Sequence, residues 1–190
     1  MKKLILPVLL VAAAPLAAQN FEVGVFVGRQ TYKDFNVLGI TAEPESKTVV
    51  GMRFGYSVVD IGPALFQLTG GYQPESKATI KNNLGLDGEL KHSHYSLGAM
   101  FNFKAGVAIG AGVEYRFEKL DDGSTSTNYG RPWARANVGF AFPTPLVKPF
   151  LGLEVAAPLT SKSNETGSAE DALKSIAPKM QVGIYAGLRF

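Results

Sequence analysis

The final eleven residues, Met180-Gln-Val-Gly-Ile-Tyr-Ala-Gly-Leu-Arg-Phe190, alternate without a break. Successive side chains of a strand point to opposite faces. Met180, Val182, Ile184, Ala186, Leu188 and Phe190 therefore share one side, and Gln181, Gly183, Tyr185, Gly187 and Arg189 the other. The first side is wholly apolar; the second carries small, polar and charged groups. About ten residues is also the length a tilted strand needs to cross a bilayer. A chain made of such strands has to turn its apolar sides to hydrocarbon and enclose the rest.

The same alternation recurs. It runs through Phe21 to Gln30, Val50 to Val58, Phe66 to Gln73, His94 to Phe103, Val107 to Phe117, Ala134 to Phe142 and Leu151 to Ala157, giving eight segments with the terminal one. Phe26 breaks the pattern in the first segment. Polar stretches at Thr31 to Ser46, Pro74 to Leu90, Leu120 to Gly130 and Thr160 to Ala177 are long connections, and Ala169 to Ile176 reads as a short helix within the last. Asp60 to Pro63, Lys104 to Gly106 and Pro143 to Pro149 are short ones. Prolines at strand ends fit, because proline cannot donate within a ladder. Long and short connections thus alternate strictly, which a soluble sandwich has no reason to do. An all-β, eight-stranded antiparallel up-and-down transmembrane β-barrel does, with short turns inside the envelope and long loops outside. Phe21, Phe103, Phe142 and Phe190 fall at one rim and Tyr72, Tyr95, Tyr115 and Phe117 at the other, the places of the two interfacial aromatic girdles.

The N-terminus predicts export. Met1-Lys-Lys, an apolar run from Leu4 to Leu16 and Ala17-Ala18 before Gln19 have the order of a secretory signal. The expected division is a signal peptide over residues 1–18 and one barrel domain over 19–190. Loss of Lys2 and Lys3 leaves 17 basic and 16 acidic residues. So small an excess, without a basic cluster, excludes nucleic acid as an expected partner. The chain contains no Cys, which removes a lipid-modified anchor, disulfides and thiolate chemistry.

Any chemistry has to lie on the non-apolar face. That face collects Glu22, Arg53, Glu114, Arg116, Glu118, Arg135, Glu154 and Arg189. An arginine facing lipid at the bilayer midplane costs about 2–4 kcal/mol, so these groups point inward. An eight-stranded barrel is just wide enough for side chains to fill, and charges in so narrow a space have to pair. The expectation is an ion-pair network filling the lumen of a monomeric barrel, with no cofactor and no metal. A narrow ion or small-solute channel is the alternative.

With this pattern assembled, the chain resembles the small eight-stranded outer-membrane barrels of the OmpA transmembrane-domain and OmpX type. The resemblance implies location in the outer membrane of a Gram-negative-type bacterium. It also implies a non-enzymatic role in envelope structure or surface interaction, and contact with outer-membrane lipid and lipopolysaccharide. The terminal Phe190, with Ile184, Ala186 and Leu188 at every second position before it, is similar to the signal that the insertion machinery reads in that family. OmpA-type proteins continue into a periplasmic peptidoglycan-binding domain, whereas this sequence stops at Phe190, so a cell-wall tether is not expected. His92-Ser-His94-Tyr-Ser96 with Glu114 is similar to the His/Ser/Glu set of lipid A deacylase barrels. His94 and Ser96 share the inward face, however, while lipid approaches from outside, and His92 reads as a loop residue. The acidic pairs Asp121-Asp122 and Glu170-Asp171 lack the spacing of a calcium loop.

Overall fold

A computed structural model describes residues 20–37, 40–82, 88–160 and 168–190. The expected signal segment 1–18 lies outside the described residues. In chain order the elements are β1 (Phe21–Tyr32), β2 (Phe35–Val37), β3 (Ile40–Pro44), β4 (Lys47–Ile61), β5 (Ala64–Asn82) and β6 (Gly88–Ala105). They continue with β7 (Val107–Asp121), β8 (Ser126–Ala141), β9 (Lys148–Pro158), a helix α1 (Ala169–Ser175) and β10 (Pro178–Arg189).

Eight of these strands form a closed antiparallel ring. Going round from β1, the neighbours are β4, β5, β6, β7, β8, β9 and β10, and β10 returns to β1 through the pairs Glu22 with Arg189 to Thr31 with Met180. Closure matters because hydrocarbon offers no hydrogen bonds to an unpaired strand edge. The small strands β2 and β3 make a hairpin added to the far end of β5, where Ala42 pairs with Asn82. Gly62 and Gly106 take positive φ, at 55° and 79°, in the turns between β4 and β5 and between β6 and β7.

The outside of the ring is apolar. Tyr95, Leu97, Phe101 and Phe103 on β6, Ile109, Val113, Tyr115 and Phe117 on β7, and Leu151, Leu153 and Val155 on β9 are all exposed. Aromatic pairs sit at both margins: Tyr72 stacks on Tyr95 and Tyr115 meets Phe117 edge-on at one, and Phe140 meets Phe142 edge-on at the other. A helix long and apolar enough to cross a membrane is absent among the described residues, and the exposed belt leaves the crossing to strands.

The strands run further than the alternation of apolar residues indicates. Pro74 to Leu90 reads as a loop, yet β5 and β6 stay paired through it as far as Ile80 with Gly88. Leu120 to Gly130 likewise shrinks to a tight turn after Asp121, where Asp122 accepts backbone hydrogen bonds from Ser124 and Thr125. The cause is that the outward face of a strand turns polar once it rises above the bilayer, so the apolar outward row that marks the strand ends there. A register shift between Gln73 and Ser76 adds to this, since it exchanges inward and outward positions beyond Pro74. The expected helix is present: Ser168 caps it, accepting from the Asp171 amide. Glu45, in the connection above the belt, lies beside the Lys81 ammonium, whose hydrogen bond and charge hold its carboxyl below the ordinary range.

Placing charge on the belt tests this geometry. Leu97→Arg is expected to lower folding stability in lipid vesicles by about 2–4 kcal/mol, and Thr79→Arg, above the girdle, by about 0–1 kcal/mol, measured by denaturant titration.

Candidate functional site: the barrel lumen

The inward side chains form four strata. The first is at the end that holds the short turns, the start of β1 and the end of β10. Glu22 of β1 accepts from Arg189 Nε at 2.9 Å, from Gln67 at 3.3 Å and from the Tyr185 hydroxyl. Gln67 in turn accepts from Asn102 at 3.1 Å. The Phe150 ring lies 4.7 Å from that of Tyr185. A cavity of about 210 Å³ opens here to the end of the short turns, with Glu22, Asn102, Asn137 and Arg189 in its wall.

The second stratum crosses the barrel. Glu154 on β9 accepts from Arg53 on β4 at 3.0 Å and from Arg135 on β8 at 2.5 Å. Arg135 also donates to Glu114 on β7 at 3.1 Å and to Thr69 on β5 at 3.4 Å. Arg116 Nε donates to Glu114 at 2.5 Å. Arg53 also lies 5.3 Å from the Phe26 ring centroid. This explains the break at Phe26: its ring is turned inward, into space that Gly28 and Gly183 leave open because a Cβ on either would collide with it. All of these charged groups are buried.

The third stratum is built on Trp133, which is fully buried. The Arg116 guanidinium stands 3.8 Å from its ring centroid and that of Arg131 4.9 Å, a double cation–π contact. Arg131 Nε donates to Glu118 at 2.8 Å, and its Nη2 donates to the Pro178 carbonyl at 2.6 Å. Above it, Gln73 donates to Gln30 at 3.2 Å and accepts from Gln181 at 2.7 Å. Gln30 donates to the Tyr32 hydroxyl and lies 3.0 Å from His92 Nδ1. An apolar cap of Tyr32, Ala78, Leu90 and Leu120 with Leu173, Ile176 and Ala177 from α1 and its end completes the fourth stratum.

All eight charged residues singled out from the sequence point into this lumen, joined as Glu22 with Arg189, Glu154 with Arg53 and Arg135, Glu114 with Arg116 and Arg135, and Glu118 with Arg131. Arg131, Trp133 and the glutamines of β1, β5 and β10 escaped that reading. Arg131 and Trp133 precede the apolar run that marks β8, and neutral amides carry no charge pattern. His92 is corrected: it is a strand residue, paired opposite Ser76 and fully buried, because β6 continues past its apolar section. His94, Ser96 and Glu114 are buried too, but register sets Glu114 opposite Gly98, and its carboxylate is taken by Arg116 and Arg135. Among the described residues no hydrogen bond joins Ser96 to His94, and no group of metal-ligand type gathers. On the opposite, outward face of β10, Ile184 and Leu188 are exposed and Ala186 half-buried, and the Phe190 amide donates to the Phe21 carbonyl at 2.8 Å.

Comparison of the whole chain with solved structures finds the outer membrane protein OprG from Pseudomonas aeruginosa at a TM-score of 0.55 and 11% identity, over 90% of this chain and 94% of that one. The fold is that of the small outer-membrane β-barrels. The N-terminal β-barrel domain of Pseudomonas aeruginosa OprF (TM-score 0.44, 14% identity, 90% and 98% covered) and Ail, the attachment invasion locus protein of Yersinia pestis (0.42, 13%, 91% and 99%), are also similar. No family model and no curated protein matches the chain. With its apolar belt and buried charges, the chain is a transmembrane barrel of the outer-membrane type.

The shared carboxylate gives a direct test of the second stratum. Glu154→Gln leaves Arg53 and Arg135 without their common partner inside the barrel, and the expected loss is about 3–5 kcal/mol of folding stability. Lys77→Gln, which breaks an exposed pair with Glu89, is expected to leave the denaturation midpoint unchanged.

Proposed function

We propose that this is a non-enzymatic barrel of the outer membrane of a Gram-negative-type bacterium, with a closed lumen, which works through its wall and its outer surface in envelope structure or surface contact. The observation that carries the reading is Arg53 of β4 meeting Glu154 of β9, a pair that reaches across the ring and is continued by Arg135 to β7 and β5. Together with the Arg116, Trp133 and Arg131 stack and the cap contributed by α1, it puts three consecutive barriers in the path of a solute.

On this reading the outside surface is the working part. Lys77, Lys91 and Lys119 stand on outward positions just above Tyr95 and Phe117, the height at which the phosphates of lipopolysaccharide lie. The end of β10 with Ile184, Ala186, Leu188 and Phe190 is the segment offered to the insertion machinery. A monomer is sufficient, since the ring closes within one chain.

Two measurements check this. Purified protein in planar bilayers is expected to give no steps of stable conductance, and reproducible steps would replace the closed barrel by a channel. Mass spectrometry of lipid A from cells with and without the protein is expected to show the same species; a deacylated product lost on Ser96→Ala would make it an enzyme.

A further inference from the structure

Four residues stand in one cross-strand row inside the barrel: Arg53 on β4 pairs with Gly71 on β5, Gly71 with Ser96 on β6, and Ser96 with Arg116 on β7. Gly71 contributes no side chain, so the row is a notch between two guanidinium groups. The Ser96 and Arg53 side chains lean into it and converge there: a Cβ on Gly71 would stand only 2.5 Å from Ser96 Oγ and 2.7 Å from Arg53 Nη1, so these two atoms take the place of the missing side chain. His94 is the next inward residue of β6 above Ser96, and it is buried as well.

The donors around this notch are unused. Among the described residues, Arg53 Nε and Nη1, Arg116 Nη1 and Nη2, Ser96 Oγ and both ring nitrogens of His94 are buried and without a hydrogen-bond partner. Their charges are unbalanced too. Glu22 serves Arg189 and Glu118 serves Arg131, which leaves Arg53, Arg116 and Arg135 sharing the two carboxylates Glu114 and Glu154. One positive charge is left over in a space closed to bulk water. A buried unmatched charge and buried unmatched donors are both costly, and both costs fall at the same notch.

We propose that the notch formed by Arg53, Gly71, Ser96 and Arg116 binds a small monovalent inorganic anion of the chloride class. The ion takes donors from the two guanidinium groups and the Ser96 hydroxyl, with a His94 N–H above, and neutralises the third arginine. It belongs to the folded barrel as a structural ligand, and it takes the donors of Arg53 and Arg116 that Glu154 and Glu114 leave unused. A divalent oxyanion fits less well, since it would carry one negative charge too many.

Bromide is the probe. Crystals of the full barrel grown in sodium bromide are expected to show an anomalous peak at the bromine edge within hydrogen-bonding distance of Ser96 Oγ and Arg53 Nη1. A peak there supports the site; no peak, bromide only at surface lysines, or a water at the notch overturns it. In detergent, the folding equilibrium constant is expected to rise about tenfold for each tenfold rise in chloride beyond saturation of the site, against sodium gluconate at the same ionic strength. Ser96→Asp supplies a fixed negative charge in place of the ion and is expected to abolish the chloride dependence while still folding. Equal midpoints in chloride and gluconate for the natural protein contradict the proposal whatever the variant does.

Discussion

The rest of the structure depends on the seam between β1 and β10. A strand edge within hydrocarbon leaves amide and carbonyl groups with nothing to bond, so a sheet can cross a bilayer only if its last strand returns to its first. Here that return runs in register from Glu22 with Arg189 to Thr31 with Met180. Once the ring is shut, the two-residue period of a strand divides every side chain between lipid and lumen. The arginines and glutamates have one place to go.

What they do there follows from the size of eight strands. The interior holds side chains and little else, so each carboxylate is shared or accepts two hydrogen bonds from one arginine, and each arginine is stacked, paired or both. Trp133 shows how tightly the space is used: two guanidinium groups, whose residues sit directly opposite each other on β7 and β8, both lie against one indole. Like charges in that position repel, and the ring face together with Glu114 and Glu118 offsets the repulsion. Phe26 makes the same point for β1, since an aromatic on the polar face is the partner of Arg53 and needs Gly28 and Gly183 to lie flat.

The part of the fold inside the bilayer was legible because hydrocarbon enforces a contrast between faces. Leu97 and Phe101 against Ser96 and Asn102 declare both the strand and its orientation. Above the girdle the contrast fades. Lys77, Thr79 and Lys81 look outward to water while Ser76 and Ala78 look inward, and the register shift at Pro74 inverts the order as well, so a paired strand reads as a loop. The candidate site was legible where it is charged and hidden where it is neutral. Glu154 and Arg135 announce themselves on a polar face, whereas Gln30, Gln73 and Gln181 lie on the same kind of face with no charge to mark them as partners until the closed ring brings β1, β5 and β10 together. Arg131 was lost for a local reason: with Gly130 and Pro132 beside it, it looks like the end of a turn. Its inclusion changes the balance of the lumen from even to one arginine in excess.

The central claim is that alternate residues of each strand face lipid and lumen respectively, and the natural sequence contains no cysteine, so single cysteines can report it cleanly. A fluorescent label placed in turn from Tyr95 to Phe103 in vesicles carrying a nitroxide on the lipid chains reads the distance to hydrocarbon directly. Strong quenching at Tyr95, Leu97, Ala99, Phe101 and Phe103 with weak quenching at Ser96, Gly98, Met100 and Asn102 is the result this structure requires. Quenching without a two-residue period, or with the two sets exchanged, would contradict it.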